Sequence, residues 1–356
     1  MLRHILKKHN AAHTTKRWLR RQLNTSCIVC TEFGPPDVMK YVESHEIRDE
    51  ISDDEIVVNV RAAGVNPSDT YVRLGDKGPY KGNKKLIPEL PYTPGKDGAG
   101  VVEKVGSSVT EFKKGDRIYI SGSATGTYAE YAICNVNNVY PLPSNVSFAQ
   151  GACVGVPCAT AHRALHCRGE LKKGESVFIH GASGAVGLAA IQLAVRAGAR
   201  VVGSAGTKEG MDAVRDAGAH GVVNHREDGY LEKALASGGE FDLVLEMAAD
   251  VNLISDLTVL ASNGGRIAIV GSKAQEIGLN PRLTMPKELD IRGVFLGNST
   301  KDELLESHAD IYNALHSGEL SPVVATEIPL KDARLSHAEV MTPQSGGSAG
   351  NVVLVV

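Results

Sequence analysis

The chain has 356 residues, 42% hydrophobic and 22% charged, enough for two domains with a large buried core. No apolar run approaches the 18 or so residues of a spanning helix, so no membrane span is expected. The net charge of −3 is uneven: residues 1–26 hold seven Lys/Arg, three His and no acid, leaving 31 basic against 41 acidic residues, a net of −10 for the rest. A body that acidic gives nucleic-acid binding no electrostatic support.

Residues 1–26 form a basic leader without the apolar core of a secretory signal. An acid-free, Arg/Lys-bearing start resembles a mitochondrial presequence, and mitochondrial localisation is the expectation. A basic tail on a cytoplasmic enzyme is the alternative. Cys27-Ile-Val-Cys30 has redox or metal spacing, but no second pair exists and the segment reads as an opening strand with alternating faces. Glu55 to Ala62 alternates as a strand, and Gly100 to Val105 and Arg117 to Ile120 are further strands between Gly/Pro turns.

The most specific stretch is Ser176 to Gly206. An apolar run, Val177 to Ile179, meets the turn Gly181-Ala-Ser-Gly184-Ala-Val-Gly187. A helix follows with Leu188, Ile191, Gln192 and Val195 on one face, then a second strand at Val201-Val202. Strand, phosphate turn, helix, strand is the opening unit of a dinucleotide-binding sheet, with the helix start attracting the pyrophosphate. An NAD enzyme normally has an acid about 20 residues after the fingerprint. Counting from Gly184 reaches Ser204, and the nearby cations are Lys208 and, after the strand Gly221 to Asn224, His225-Arg226. This pattern suits the 2′-phosphate of NADP(H); ordinary solvated charges are the alternative reading of Lys208 and Arg226. Beyond it, helices are expected over Tyr230 to Ala236, Asn252 to Leu260 and Lys301 to Ser317. Strands are expected over Phe241 to Met247, Arg266 to Gly271, Ile291 to Leu296 and Asn351 to Val356. The fold class is α/β: a doubly wound parallel Rossmann sheet plus a β-rich domain.

Several motifs carry a closer resemblance. They are Ala63-Gly-Val-Asn66-Pro67, Thr70-Tyr71, Leu90-Pro-Tyr-Thr-Pro-Gly95, Asp97-x-Ala99-Gly100, Lys114-Gly-Asp-Arg117, Tyr128-Ala-Glu-Tyr131 and Asn224-His-Arg-Glu227. With these the chain resembles the zinc-free, zeta-crystallin type of NADPH:quinone oxidoreductase in the medium-chain dehydrogenase/reductase superfamily. The resemblance implies a GroES-like catalytic domain over 27–150, completed by 297–356, and a Rossmann domain over 151–296. It implies NADPH as cofactor, a small-molecule quinone, of ortho-quinone type, as substrate, and a homo-oligomer, dimer or tetramer. Implied catalytic residues are Tyr71 and Asn66, positioning the quinone oxygen by a hydroxyl and an amide. Implied cofactor residues are Tyr71, Ser183, Gly184, Ala185, Val186, Gly206, His225, Asn252, Val270, Gly271, Ser272, Lys273, Val294, Phe295 and Leu296.

No metal is expected in the catalytic centre. Zinc-dependent members have a Cys and a Gly-His-Glu motif where this chain has Asn66 and Gly95-Lys96-Asp97, and a cation at Lys96 cannot ligate. A quinone is already electrophilic and needs alignment rather than a Lewis acid. Reduction of activated C=C bonds in alkenals or enones would use the same parts. The family also includes lens structural proteins and binders of AU-rich RNA, so RNA is a partner by resemblance only. Asn66 as a turn residue before Pro67, and Tyr71 as packing at the domain seam, are the bland alternatives. The sequence departs from the family in a longer, Lys-rich segment over Arg73 to Gly95, placed at the mouth of the substrate cleft. It departs again at Cys158 and His162, where aromatics are common, and at Gly350-Asn351.

Overall fold

The computed structural model describes residues 23–48, 50–341 and 349–356. The presequence expectation therefore lies mostly outside the described residues. Its boundary is corrected. Strand β1 spans Leu23–Cys30 and pairs antiparallel with β2 (Met39–Ile47). Thr25 is buried there, and its hydroxyl accepts a hydrogen bond from Tyr131 N at 3.0 Å, so 23–26 belong to the folded body. Cys27 and Cys30 are both fully buried in this strand, and desolvation pushes both thiols up, Cys30 to about 11. They pack as small apolar residues.

The catalytic sheet follows with β3 (Glu55–Val65), α1 (Pro67–Leu74), β4 (Asp97–Val105), β5 (Arg117–Ser121), β6 (Tyr131–Asn135) and β7 (Val139–Pro141). β3 is central, pairing with β4 and β6 and burying nearly every residue, which its run of Val and Ala permits. A short helix α2 (Phe148–Gly151) leads into α3 (Gly155–His162), which continues as a π-helical turn over Arg163–Arg168.

The doubly wound unit then runs β8 (Ser176–Ile179), α4 (Ala185–Arg196), β9 (Arg200–Ala205), α5 (Lys208–Asp216), β10 (Gly221–Asn224), α6 (Tyr230–Gly238), β11 (Phe241–Glu246), α7 (Ala249–Ser255), β12 (Ala261–Ile269) and β13 (Asp290–Gly293). Its order is β10-β9-β8-β11-β12-β13, all parallel. β8 is buried along its whole length, as a strand covered on both faces must be. The order reverses between β8 and β11, which opens a crevice at their carboxyl ends.

Three expected elements shift. The helix expected over 252–260 begins at Ala249 and becomes a π turn over Asp256–Leu260. The strand expected to reach Gly271 ends at Ile269, leaving 270–273 as loop. The strand expected over 291–296 ends at Gly293: Val294 N still donates to Ile269 O at 2.8 Å, after which Leu296–Asn298 forms a 3-10 turn.

Helix α8 (Lys301–Ser317) buries Ile311, Ala314 and Leu315 in one core with Ala159 and Ala161 of α3 and Leu188 and Ile191 of α4. The return to the catalytic sheet is made after it, by β14 (Val324–Pro329), α9 (Ala333–Met341) and β15 (Asn351–Val355), with β15 between β14 and β3. The segment 297–356 thus divides between the two bodies, because the apolar face of α8 matches helices, not the sheet. No described helix is long and apolar enough to cross a membrane.

Candidate active site

The glycine turn after β8 is built by backbone conformation. Gly181 has φ +55°, a region closed to most side chains, and Gly184 N donates to Gly181 O at 3.0 Å. The first bond of α4 runs from Leu188 N to Gly184 O at 2.9 Å, so the N–H groups of Ala185 and Val186 have no acceptor within the helix. A Cβ at Gly184 would meet only Gly181 O, at 3.4 Å, so the turn presents bare backbone to a ligand. Across the domain seam, Gly350 N donates to Ser183 O at 2.9 Å. The start of the closing strand is thereby tied to the phosphate turn.

Ser204 does not face a ribose. It is fully buried, and its hydroxyl accepts from Gly181 N at 3.2 Å beneath the turn. The strand end that decides the nucleotide lies two residues later. A Cβ at Gly206 would meet His225 Nε2 at 2.6 Å and Arg226 Nε at 2.8 Å, so both side chains lie over that glycine. Ser183 faces the start of α5, its Oγ 3.1 Å from where a Cβ of Gly210 would be. Lys208 lies exposed along α5 in an ion pair with Asp212 at 3.0 Å. Burial, with the Arg226 charge, depresses His225, so its ring is a neutral partner beside a permanent cation.

The remaining cofactor candidates cluster at the ends of β11, β12 and β13. A crevice of about 520 Å³ is lined by Val270, Gly271, Ser272, Val294 and Phe295, together with Arg163 and Arg168. Lys273 N donates to Asp250 Oδ1 at 3.0 Å, which fixes the loop after β12 against α7. Leu296 opens the 3-10 turn beside it. Asn252 is oriented from below, its Nδ2 donating to Glu246 Oε1 at 3.2 Å. Glu246 belongs to a buried group at the switch point with His180 and Asp256, whose Oδ1 is 2.8 Å from His180 Nε2. Burial raises both carboxyls and lowers the imidazole.

On the catalytic side, Tyr71 lies on α1 with its ring edge-on to Tyr80, centroids 5.6 Å apart. Tyr80 belongs to the longer segment, which is thereby placed against the candidate catalytic tyrosine. Desolvation raises the Tyr71 hydroxyl, keeping it a neutral donor. Asn66 is nearly buried at the start of α1, where Nδ2 donates to Asp97 Oδ2 at 2.9 Å and its backbone N donates to Asp69 Oδ2 at 2.9 Å. Asp97 also accepts from Val156 N at 2.9 Å, joining β4 to α3. Tyr71 and Asn66 line neither the crevice above nor a larger one of about 710 Å³ between β1, β2 and residues 85–96.

Sequence reasoning missed the network behind these residues. Arg73 Nε donates to His337 Nδ1 at 2.9 Å, so the neutral ring carries its proton on Nε2 and gives it to Tyr128 Oη at 3.2 Å. Tyr128 in turn donates to Asp69 Oδ2 at 3.4 Å. The chain of bonds ends at Asn66. Burial pushes His337 down to about 3, Asp69 up to about 6 and Asp97 up to about 7. Arg73 and His337 are 264 residues apart, and no sequence signal links them.

Residues 52–144 match the alcohol dehydrogenase GroES-like domain, and residues 185–310 match the zinc-binding dehydrogenase model. A quinone oxidoreductase of Lama guanicoe is 45% identical over 92% of this chain and 96% of its own length. The chain belongs to the quinone oxidoreductase family. A second quinone oxidoreductase, from Homo sapiens, is 43% identical over 91% of the chain and 96% of that relative. The solved Escherichia coli quinone oxidoreductase complexed with NADPH superposes with TM-score 0.80 at 29% identity, covering 93% of this chain and all of that one. At the positions where zinc-dependent members of the wider superfamily place a Cys and a His, this chain has Asn66 and Lys96, neither of them a zinc ligand. The Asn66 amide already donates to Asp97, and Lys96 brings a positive charge.

Proposed function

We propose that this quinone oxidoreductase uses NADPH to reduce quinones, of ortho-quinone type, without a metal at the reacting centre. The observation that carries the cofactor reading is the placement of His225 and Arg226 over Gly206, a neutral donor and a fixed cation where an NAD enzyme would hold a carboxylate. When bound, NADPH would supply two electrons and one proton from its dihydronicotinamide, in one step or two, and a solvent proton completes the hydroquinone. The chain's own residues bind and align. Ala185 and Val186 offer backbone N–H groups to the pyrophosphate, and Val270 to Lys273 and Val294 to Leu296 wall the nicotinamide end. The names of the relatives and the NADPH complex of a neighbour with the same fold support the same reading.

Asn66 acts by position in this reading. One amide hydrogen is held by Asp97, which leaves the other, with the Tyr71 hydroxyl, to meet two adjacent carbonyl oxygens. Steady-state assays with NADPH should show an ortho-naphthoquinone turned over well and a medium-chain alkenal poorly. Tyr71→Phe should lower kcat/KM for the quinone roughly three- to tenfold, the loss of one hydrogen bond worth about 0.5–1.5 kcal/mol. Faster turnover of the alkenal would replace this reading with C=C reduction. Parent-like kinetics in Tyr71→Phe would reduce Tyr71 to a packing residue.

A further inference from the structure

His162 and His166 are four residues apart where α3 passes into its π turn, so both imidazoles project to one face. Their ring centroids are 4.6 Å apart. Opposite them, α8 presents Asp310, whose Oδ2 is 3.5 Å from His162 Nε2. That is too long for a strong hydrogen bond and close to the spacing of about 3.3 Å between donors around a tetrahedral zinc. One donor atom from each of the three side chains falls within a 4.8 Å span. We propose that His162, His166 and Asp310 form a site for a divalent transition metal of the zinc class, clipping α3 to α8 outside the redox cleft.

The surroundings fit a ligand set. Asp310 Oδ1 is held by Arg196 at 2.7 Å, and Arg196 is held again by Glu319 at 3.1 Å. The carboxylate is thus oriented from behind with its second oxygen free to ligate, as outer partners orient metal ligands. Two carboxylates against one guanidinium leave a local charge of −1 to receive a cation. His162 is nearly buried, and its Nδ1 has no hydrogen-bond partner among the described residues. His166 and Asp310 are partly exposed, giving an ion a way in and water a remaining coordination position. Two imidazoles and one carboxylate suit Zn²⁺, Co²⁺ or Ni²⁺ and disfavour Mg²⁺ and Ca²⁺. His162 is six residues beyond Val156, about 9 Å along the helix from the Asp97 contact, so the clip is separate from Asn66.

The full chain, stripped with chelator, should be titrated with zinc chloride by calorimetry beside His166→Gln and Asp310→Asn. The leader histidines are the same in all three proteins, so differences report this site. The parent should bind one more equivalent of zinc, or bind it at least about tenfold tighter, and should show a zinc-dependent rise in Tm that both variants lose. Cobalt should give a visible tetrahedral ligand-field band in the parent and none in His166→Gln. Parent-like NADPH binding by the variants would confirm that they are folded. Equal zinc stoichiometry and affinity in all three, or an unchanged cobalt band in His166→Gln, would overturn the proposal.

Discussion

At Gly206 any side chain would collide with His225 and Arg226, so the glycine is what lets a cation rest over the end of β9. This has a measurable consequence for nucleotide choice. Removing one charge-assisted bond with Arg226→Gln should cost about 1.5–3 kcal/mol of NADPH binding and leave NADH nearly unchanged. The NADPH-to-NADH affinity ratio, read by fluorescence titration, should fall roughly tenfold or more. A ratio equal to the parent's would remove Arg226 from the site. Ser204 behaves differently from what residue counting suggests. Ser204→Asp would bury a carboxylate beneath the glycine turn, against Gly181 N, and should destabilise the fold rather than recruit NADH. A run of small residues at the end of a strand is legible in sequence; which of them faces the ligand depends on where the strand ends.

Among the helices, α8 packs on α3 and α4 and also reaches the catalytic sheet, where His308 Nδ1 lies 2.9 Å from Tyr119 Oη of β5. Its start is a capping box: Thr300 Oγ1 accepts from Glu303 N at 3.2 Å, and Thr300 N donates to Glu303 Oε2 at 2.8 Å. The same Glu303 oxygen receives Arg163 Nη1 at 2.8 Å, from the π turn after α3. Thr300→Ala should therefore cost about 1 kcal/mol in urea unfolding, the ordinary value of a cap. Glu303→Ala should cost more, because it also leaves the buried Arg163 without its carboxylate. Equal losses in the two variants would show that the Arg163 contact adds nothing. The period of Leu304, His308, Ile311 and Leu315 announces this helix in the sequence, and its bounds agree with the expectation. Its partner was not announced, since an apolar stripe fits a helix pair or a sheet equally well.

Across the whole molecule the two bodies meet through buried polar bonds, among them Val156 to Asp97 and Gly350 to Ser183. Asp97 is raised from 3.8 to about 7 by burial, so the folded state holds a proton that the unfolded state has lost between those values. Its contribution to stability is then greatest at the acid end of that window and declines as pH rises through it. Asp97→Asn removes this term while keeping an acceptor for one donor. The Tm of the variant minus that of the parent should accordingly increase from about pH 5 to about pH 8 by differential scanning calorimetry. A pH-independent difference would show that the carboxyl is ionised throughout. By itself the sequence determined the doubly wound unit, the phosphate turn at Gly181 to Gly187, the absence of an acid near Ser204 and the unsuitability of Asn66 and Lys96 as zinc ligands. These are local matters of period, backbone freedom and residue chemistry. Only the tertiary structure decided that Ser204 points inward, that Arg73 reaches Asp69 through His337 and Tyr128, and that Asp310 faces His162. Each depends on side chains brought together by packing from distant parts of the chain, and spacing along one strand or helix carries no record of that.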